Sequence, residues 1–229
     1  MITDLILPKR GIESLELPSY VKLDMAFGLG SGSTLFDKSR YQSHGTISGA
    51  SWAAGLHGKA LDFVIASKDY VEIPASYTQL NFTSEDFSIV IRIKFDLETA
   101  ASRTIFVRGL LNTDGWWLYH YSTYVWFRTN QAAANQLTRS TSGTFPSNVW
   151  KTLGLSRSGT SVIIYSDGVD VNTVVGVHTN PATSARTAKV GVYDDKIVNH
   201  LDGKIEFLRI IGGVALTASE HLAYHNALK

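Results

Sequence analysis

Residues Gly55 to Pro74, GLHGKALDFVIASKDYVEIP, hold two short alternating runs around a polar turn. In the first run Ala60, Asp62 and Val64 fall on one side, and Leu61, Phe63 and Ile65 on the other. After Ala66-Ser67-Lys68-Asp69, the residues Tyr70, Glu72 and Pro74 alternate with Val71 and Ile73. A period of two with one apolar face predicts half-buried antiparallel strands.

The same period recurs along the chain at short intervals. Val21–Phe27 alternates and runs into a flexible loop at Gly28, Gly30, Ser31 and Gly32. In Phe87–Phe95, FSIVIRIKF, Phe87, Ile89, Ile91, Ile93 and Phe95 share one face and Ser88, Val90, Arg92 and Lys94 the other. Further strands are expected at Thr104–Arg108, Gly115–His120, Thr123–Thr129, Trp150–Arg157, Ser161–Tyr165, Lys189–Tyr193 and Gly203–Ile211. Asp167-Gly168 favours a type I′ hairpin turn. Only the last segment reads as helical: Thr217-Ala-Ser-Glu220 fits a capping box, and Leu222 and Leu228 supply an apolar stripe. The expected fold is all-β, a two-sheet antiparallel jelly-roll-like β-sandwich with a short C-terminal helix. No repeat or internal linker divides the chain. Residues 1–19 are expected to form an extended N-terminal arm, and 20–229 the sandwich domain.

Length and charge narrow the function classes. A chain of 229 residues can bury roughly 70% of the surface its unfolded form exposes, without staples. A net charge of +1 argues against a nucleic-acid binder that tracks phosphates. Absence of cysteine removes disulfides, thiol catalysis and cysteine zinc sites together, and favours a prokaryotic or viral source.

The N-terminal stretch MITDLILPKRGIESLELPSY has a single apolar run, Leu5-Ile6-Leu7, cut off by Pro8 and Lys9. That is short of a secretory signal, and no later run approaches a membrane span. The arm reads either as a loosely packed terminus or edge strand, or as a strand that adds to a neighbour and makes a homo-oligomer. A surface-recognition fold without an export signal fits a virion or cell-surface location reached by lysis. A shortened chain accounts for it equally well, and the protein as expressed is otherwise cytoplasmic.

Several segments, in order, resemble the laminin G-like branch of the concanavalin A-like lectins and glucanases. They are LGSGSTLFDKSRYQSHGTISGASW, GKALDF with DYVEIP, FTSEDFSIVIRIKF, GWWLYH, VWKTLGLSRSGTSVIIYSDGVDV and LDGKIEFLRIIGGVALTASE. The resemblance spans about residues 20 to 229 and implies a laminin G-like sandwich. That fold hosts lectins, adhesion modules, glycosidases and structural parts alike. It also implies a calcium site, with Asp37 and Glu206 at the family's acidic positions, although Ser39-Arg40-Tyr41-Gln42-Ser43-His44 replaces the usual glycine- and asparagine-rich loop. Calcium is thus one reading, and Asp37 capping its own turn the other.

Retaining glycosidases place two carboxylates about 5–5.5 Å apart, and no alternating acidic run exists here. Glu85-Asp86 and Asp194-Asp195 are adjacent, so on a strand they diverge; Asp202 and Glu206 can share a face but have Lys204 between them to neutralise both. His221 and His225 have zinc spacing without a metalloprotease glutamate, which leaves a solvated or core-packed pair as the plainer reading. No GxSxG elbow is present. The chain is expected to be non-catalytic.

The expected ligand contact is the aromatic run from Trp116 to Phe127. Trp116 and Leu118 point inward, so alternation sends Trp117, Tyr119 and Tyr121 to the opposite, solvent-facing side, with Trp126 beside them. Flat rings with polar tips stack on sugars, and Asn112, Asp114 and Arg128 supply polar partners. The other reading covers these rings with the arm, a long loop or a neighbouring subunit; either way the surface is an interface. In the polar loop Thr129–Asn148, Gln131, Asn135, Gln136 and Arg139 are candidates to grip hydroxyls, or part of the loop pairs as a strand. The expected role is carbohydrate binding or surface attachment, with a surface glycan as partner. The alternative is a virion decoration protein docked on viral particle proteins by its arm, and a glycoside hydrolase is third.

Overall fold

The computed structural model describes residues 17–97, 100–131 and 136–229. All of the proposed arm except its last three residues lies outside them, as does Asn135.

Seventeen strands form two sheets among the described residues, and every strand pairing is antiparallel. Across the first sheet run Val169–Asp170, Ser161–Ser166, Trp150–Ser158, Phe87–Phe95, Gly203–Gly212, Lys59–Phe63 and Ser51–Ala54, with Val21–Asp24 also paired to Gly203–Gly212. The second runs Asn172–Val174, Leu137–Ser140, Tyr124–Thr129, Asp114–Tyr121, Ser102–Leu110, Ala188–Val190, Tyr70–Ile73, Gly45–Ser48 and Thr34–Leu35. The two sheets stack as a sandwich. Leu137–Ser140 is the strand within the long polar loop.

The core follows the alternation. Phe87, Ile89, Ile91, Ile93 and Phe95 of the first sheet join Val71, Ile73, Phe106, Trp116 and Leu118 of the second in one buried cluster. The apolar faces of Lys59–Phe63 and Tyr70–Ile73 enter the same core through Leu61, Phe63, Val71 and Ile73. Burial of this kind stabilises by about 25 cal/mol per Å² of apolar surface.

Phe87–Phe95 is buried on its other face too. Ser88, Val90 and Arg92 are covered because the helix Ala218–Ala227 and its lead-in pack on that side. Val90 meets Leu216 and Tyr224, and Ser88 Oγ accepts from Leu216 N at 2.8 Å. The capping box forms as expected, with Thr217 N donating to the Glu220 carboxylate at 2.7 Å and Thr217 Oγ1 accepting from Glu220 N.

The expected Leu222–Leu228 stripe does not form. His221 and Tyr224 are the buried residues of the helix, and Leu222 is 44% exposed. His221 fits inward because Gly154 beneath it has no side chain: a Cβ there would fall against His221 Nδ1. Asp167 and Gly168 both have positive φ, 54° and 87°, as a type I′ turn requires. Gly168 also lets the helix backbone at Leu222 close on the turn. No described helix is long and apolar enough to cross a membrane.

Candidate functional site

The outer face of the second sheet carries the aromatic strand pair. Tyr124 pairs with Tyr121, Trp126 with Tyr119 and Arg128 with Trp117 across the hairpin. Arg139 lies opposite Trp126 on the next strand. Rows of side chains therefore cross the sheet, and neighbours within a row touch.

Trp116 and Leu118 do point into the core, and Trp117 and Tyr119 do leave on the other side. They are not solvent-facing: Trp117 is 6% and Tyr119 4% exposed. Their rings stack on each other at 3.9 Å between centroids, Tyr193 leans on Trp117 at 4.6 Å, and Trp126 flanks Tyr119 at 6.0 Å. Trp117 Nε1 donates to Thr104 Oγ1 at 3.1 Å, and Arg128 Nε donates to the Tyr119 hydroxyl at 3.0 Å. Burial raises the Tyr119 hydroxyl above its ordinary pKa, against the lowering effect of Arg128. The cover comes from within the chain, from Tyr193, Leu110 and Leu111.

The loop after Ala188–Val190 fixes that cover. Tyr193 accepts from Leu111 N at 2.7 Å through its hydroxyl. Asp194 holds Arg186 at 2.5 Å and Lys189 at 2.8 Å, while Lys196 reaches Glu72 at 2.8 Å. Asp195 closes its own turn on Ile197 N and Val198 N.

Half-exposed rings remain next to this region. Tyr121 is 37% exposed, and Trp126 and Tyr124 are half-buried. Tyr121 and Tyr124 both meet Trp126 edge-on, at 6.1 and 6.2 Å. The guanidinium of Arg139 sits 4.7 Å from the Tyr124 ring centroid and 5.3 Å from that of Trp126. This is a rigid aromatic floor with two arginines at its margin. Such a floor can stack an apolar sugar face while the guanidiniums bond to its oxygens.

Asn112 and Asp114 sit at the turn beyond Trp117. Asn112 is an exposed turn residue with φ 61°. Asp114 accepts from Leu110 N at 2.8 Å and lies 3.7 Å from Arg186, so it is a turn organiser. Gln131 donates to Asn180 O and Gln136 accepts from Thr129 Oγ1. Of the loop candidates within the described residues, Arg139 alone stacks on the aromatic floor. Tyr124, within the expected aromatic run, shares the parity of Trp126 and joins the floor on the same face. Nothing near Trp117 in the sequence signals Tyr193.

Asp37 and Glu206 do not fit calcium. Asp37 Oδ1 accepts from Asp24 N and Ser39 N, and its Oδ2 from Ser39 Oγ and Ser43 N, all at 2.6–2.9 Å. Four donors occupy the lone pairs that a cation would need. Glu206 accepts from Leu56 N at 2.6 Å and lies 3.6 Å from Arg92, a cation already in place. No cluster of three metal-ligating side chains occurs among the described residues.

Lys204 does not neutralise Asp202 and Glu206. It pairs with Asp62 at 2.6 Å and with Asp96 at 3.6 Å, because Glu206 sits at a bulge between Ile205 and Phe207 that re-aims the strand. His221 and His225 do not converge on a site: His221 Nε2 meets Ser156 Oγ, and His225 Nδ1 meets Thr152 Oγ1.

The profile of the family described as Concanavalin A-like lectin/glucanases superfamily matches residues 66–220. No curated protein matches the chain. Among solved structures, the binding domain of botulinum neurotoxin DC in complex with SialylT is similar at TM-score 0.70 and 17% identity, covering 92% of this chain and 51% of that one. The chain thus spans about half the length of that binding domain. Domain 4 of AbnA, a GH43 extracellular arabinanase from Geobacillus stearothermophilus, in complex with arabinotriose, is similar at TM-score 0.66 and 20% identity, covering 90% and 98%. Trypanosoma rangeli sialidase in complex with 2,3-difluorosialic acid gives TM-score 0.64 and 15% identity, covering 93% and 34%. At these identities the likeness is one of fold.

Proposed function

The chain belongs to the concanavalin A-like lectin/glucanase superfamily, and from that premise we propose that it is a non-catalytic carbohydrate-binding module. The observation that carries this reading is half-exposed Trp126, ringed by Tyr121 and Tyr124 and backed by the buried Trp117–Tyr119 stack. A pre-ordered ring loses little entropy on binding. Two similar structures were solved with sugars bound, SialylT and arabinotriose, and the second is a domain of the same extent as this chain, which supports the reading. Catalysis has no support on this face, because Asp114, Asp194 and Glu72 are each committed to a cation.

Attachment to a glycan-bearing cell or particle surface is the role such binding serves. Docking of residues 1–19 on a virion rests on the sequence alone. A glycan array probed with the whole chain tests the module: binding that Trp126→Ala abolishes, with thermal stability retained, is expected. A folded chain that binds no glycan on the array sinks the proposal.

A further inference from the structure

We infer that the sugar taken at this face is carboxylated, a sialic or uronic acid, and that Arg128 and Arg139 receive its charge beside Trp126; this rests on the carbohydrate reading above. Trp126 and Arg128 are two apart on one strand, so their side chains leave on the same side. Arg139 is the direct cross-strand partner of Trp126, and Arg128 pairs with Leu137, two residues before it. The two arginines are thus diagonal neighbours, about 7–8 Å apart at the backbone, a span that suits a carboxylate carried on a pyranose ring.

Charge pairing on this sheet is uneven. Lys189 and Arg186 share Asp194, and Lys196 has Glu72. Neither Arg128 nor Arg139 has a carboxylate within ion-pair distance among the described residues. Arg128 spends Nε on the Tyr119 hydroxyl, and Arg139 lies against Tyr124 and Trp126. The sequence between their strands, NQAAANQ over 130–136, contains no acid. Among the described residues, two half-buried guanidiniums of like charge beside an apolar ring are left without a counter-ion. A neutral sugar would stack on Trp126 and leave both uncompensated. A carboxylate on the same ring accepts from their planar forks, a charge-assisted contact stronger than a hydroxyl can make.

The test is calorimetric titration of the whole chain with two matched pairs, sialyllactose against lactose and trigalacturonate against its carboxyl-reduced form. The carboxylated member of at least one pair is expected to bind about tenfold tighter or more, the worth of one charge-assisted hydrogen bond. The pair that responds tells sialic from uronic acid. The advantage should shrink as salt screens it, and Arg139→Gln or Arg128→Gln should remove it, so that the two members of a pair bind alike. Equal affinity within both pairs, or an advantage that survives both glutamine variants, overturns the inference and leaves sugar binding standing. No binding of any of the four sugars, by a chain that also binds nothing on the array, overturns both. The comparison within each pair uses the unaltered chain, so it holds even if a variant fails to fold.

Discussion

His221 fills the space over Gly154 that a side chain there would occupy, and its Nε2 meets Ser156 Oγ at 2.9 Å. The imidazole also stacks on Tyr165 at 4.3 Å. It cannot swing away, so Gly154→Ala should overpack the joint between helix and sheet and cost about 1–3 kcal/mol. Urea denaturation measures this. Adding His221→Ala should recover part of the loss, since the two sites share one space; full additivity would count against the clash.

Two buried histidines make stability pH-dependent. Burial lowers His221 to about 3, and lowers His178, helped by Arg157, to about 4. Both lie below the roughly 6.5 of an unfolded histidine, so the unfolded chain binds more protons. Stability is full above about pH 6.5 and falls as pH drops towards 4 and then 3, by about 1.4 kcal/mol per unit for each group within its window. Asp69 and Asp202, raised chiefly by burial, pull the other way over the carboxylate range. Urea midpoints at pH 7.5 and 4.5, repeated with His178→Gln, check the slope; an unchanged slope in the variant refutes the assignment.

The two tryptophans on one face should separate under mutation. Trp117 is buried and bonded to Thr104, so Trp117→Ala should cost about 3–5 kcal/mol. Trp126 is half-buried, and Trp126→Ala should cost distinctly less while removing binding. Thermal midpoints alongside array binding decide; equal destabilisation would mean that Trp126 belongs to the core.

Arg209 Nε donates to buried Asp24 at 3.0 Å, and its NH1 to the Tyr224 hydroxyl at 3.3 Å. Asp24→Ala removes the counter-ion of a buried guanidinium and should cost about 3–5 kcal/mol. Chemical denaturation reads this out, and a loss under 1 kcal/mol (about the worth of an exposed pair) would contradict it.

For Asp37, chelation with EDTA should leave the thermal midpoint unmoved, while Asp37→Ala lowers it by freeing the buried donors of Asp24, Ser39 and Ser43. A midpoint that rises on adding calcium would reverse the fit argument.

Alternation made the sandwich legible from Phe87–Phe95, and Thr217 and Glu220 announced the helix. These are local signals, set by backbone geometry and short-range bonding. That Trp117 and Tyr119 are covered is one of the two readings the sequence leaves open, but what covers them is not legible, because Tyr193 comes from a distant loop held by Asp194 and Lys189. The inward turn of His221 depends on Gly154, and the aim of Glu206 on a bulge. Each is a pairwise fit between remote segments, on which periodicity says nothing. The split between paired and unpaired arginines needed the same information.

Gly203–Gly212 lies in the middle of the first sheet, between Phe87–Phe95 on one side and Val21–Asp24 with Lys59–Phe63 on the other. The bond from Arg209 to Asp24 spans 185 residues. Strands made early must therefore wait for one that lies 185 residues further along before their sheet has a centre. During that wait their edges stand open to other chains. Slow folding follows from so many distant pairings, and the yield of native protein should depend on chain concentration during refolding.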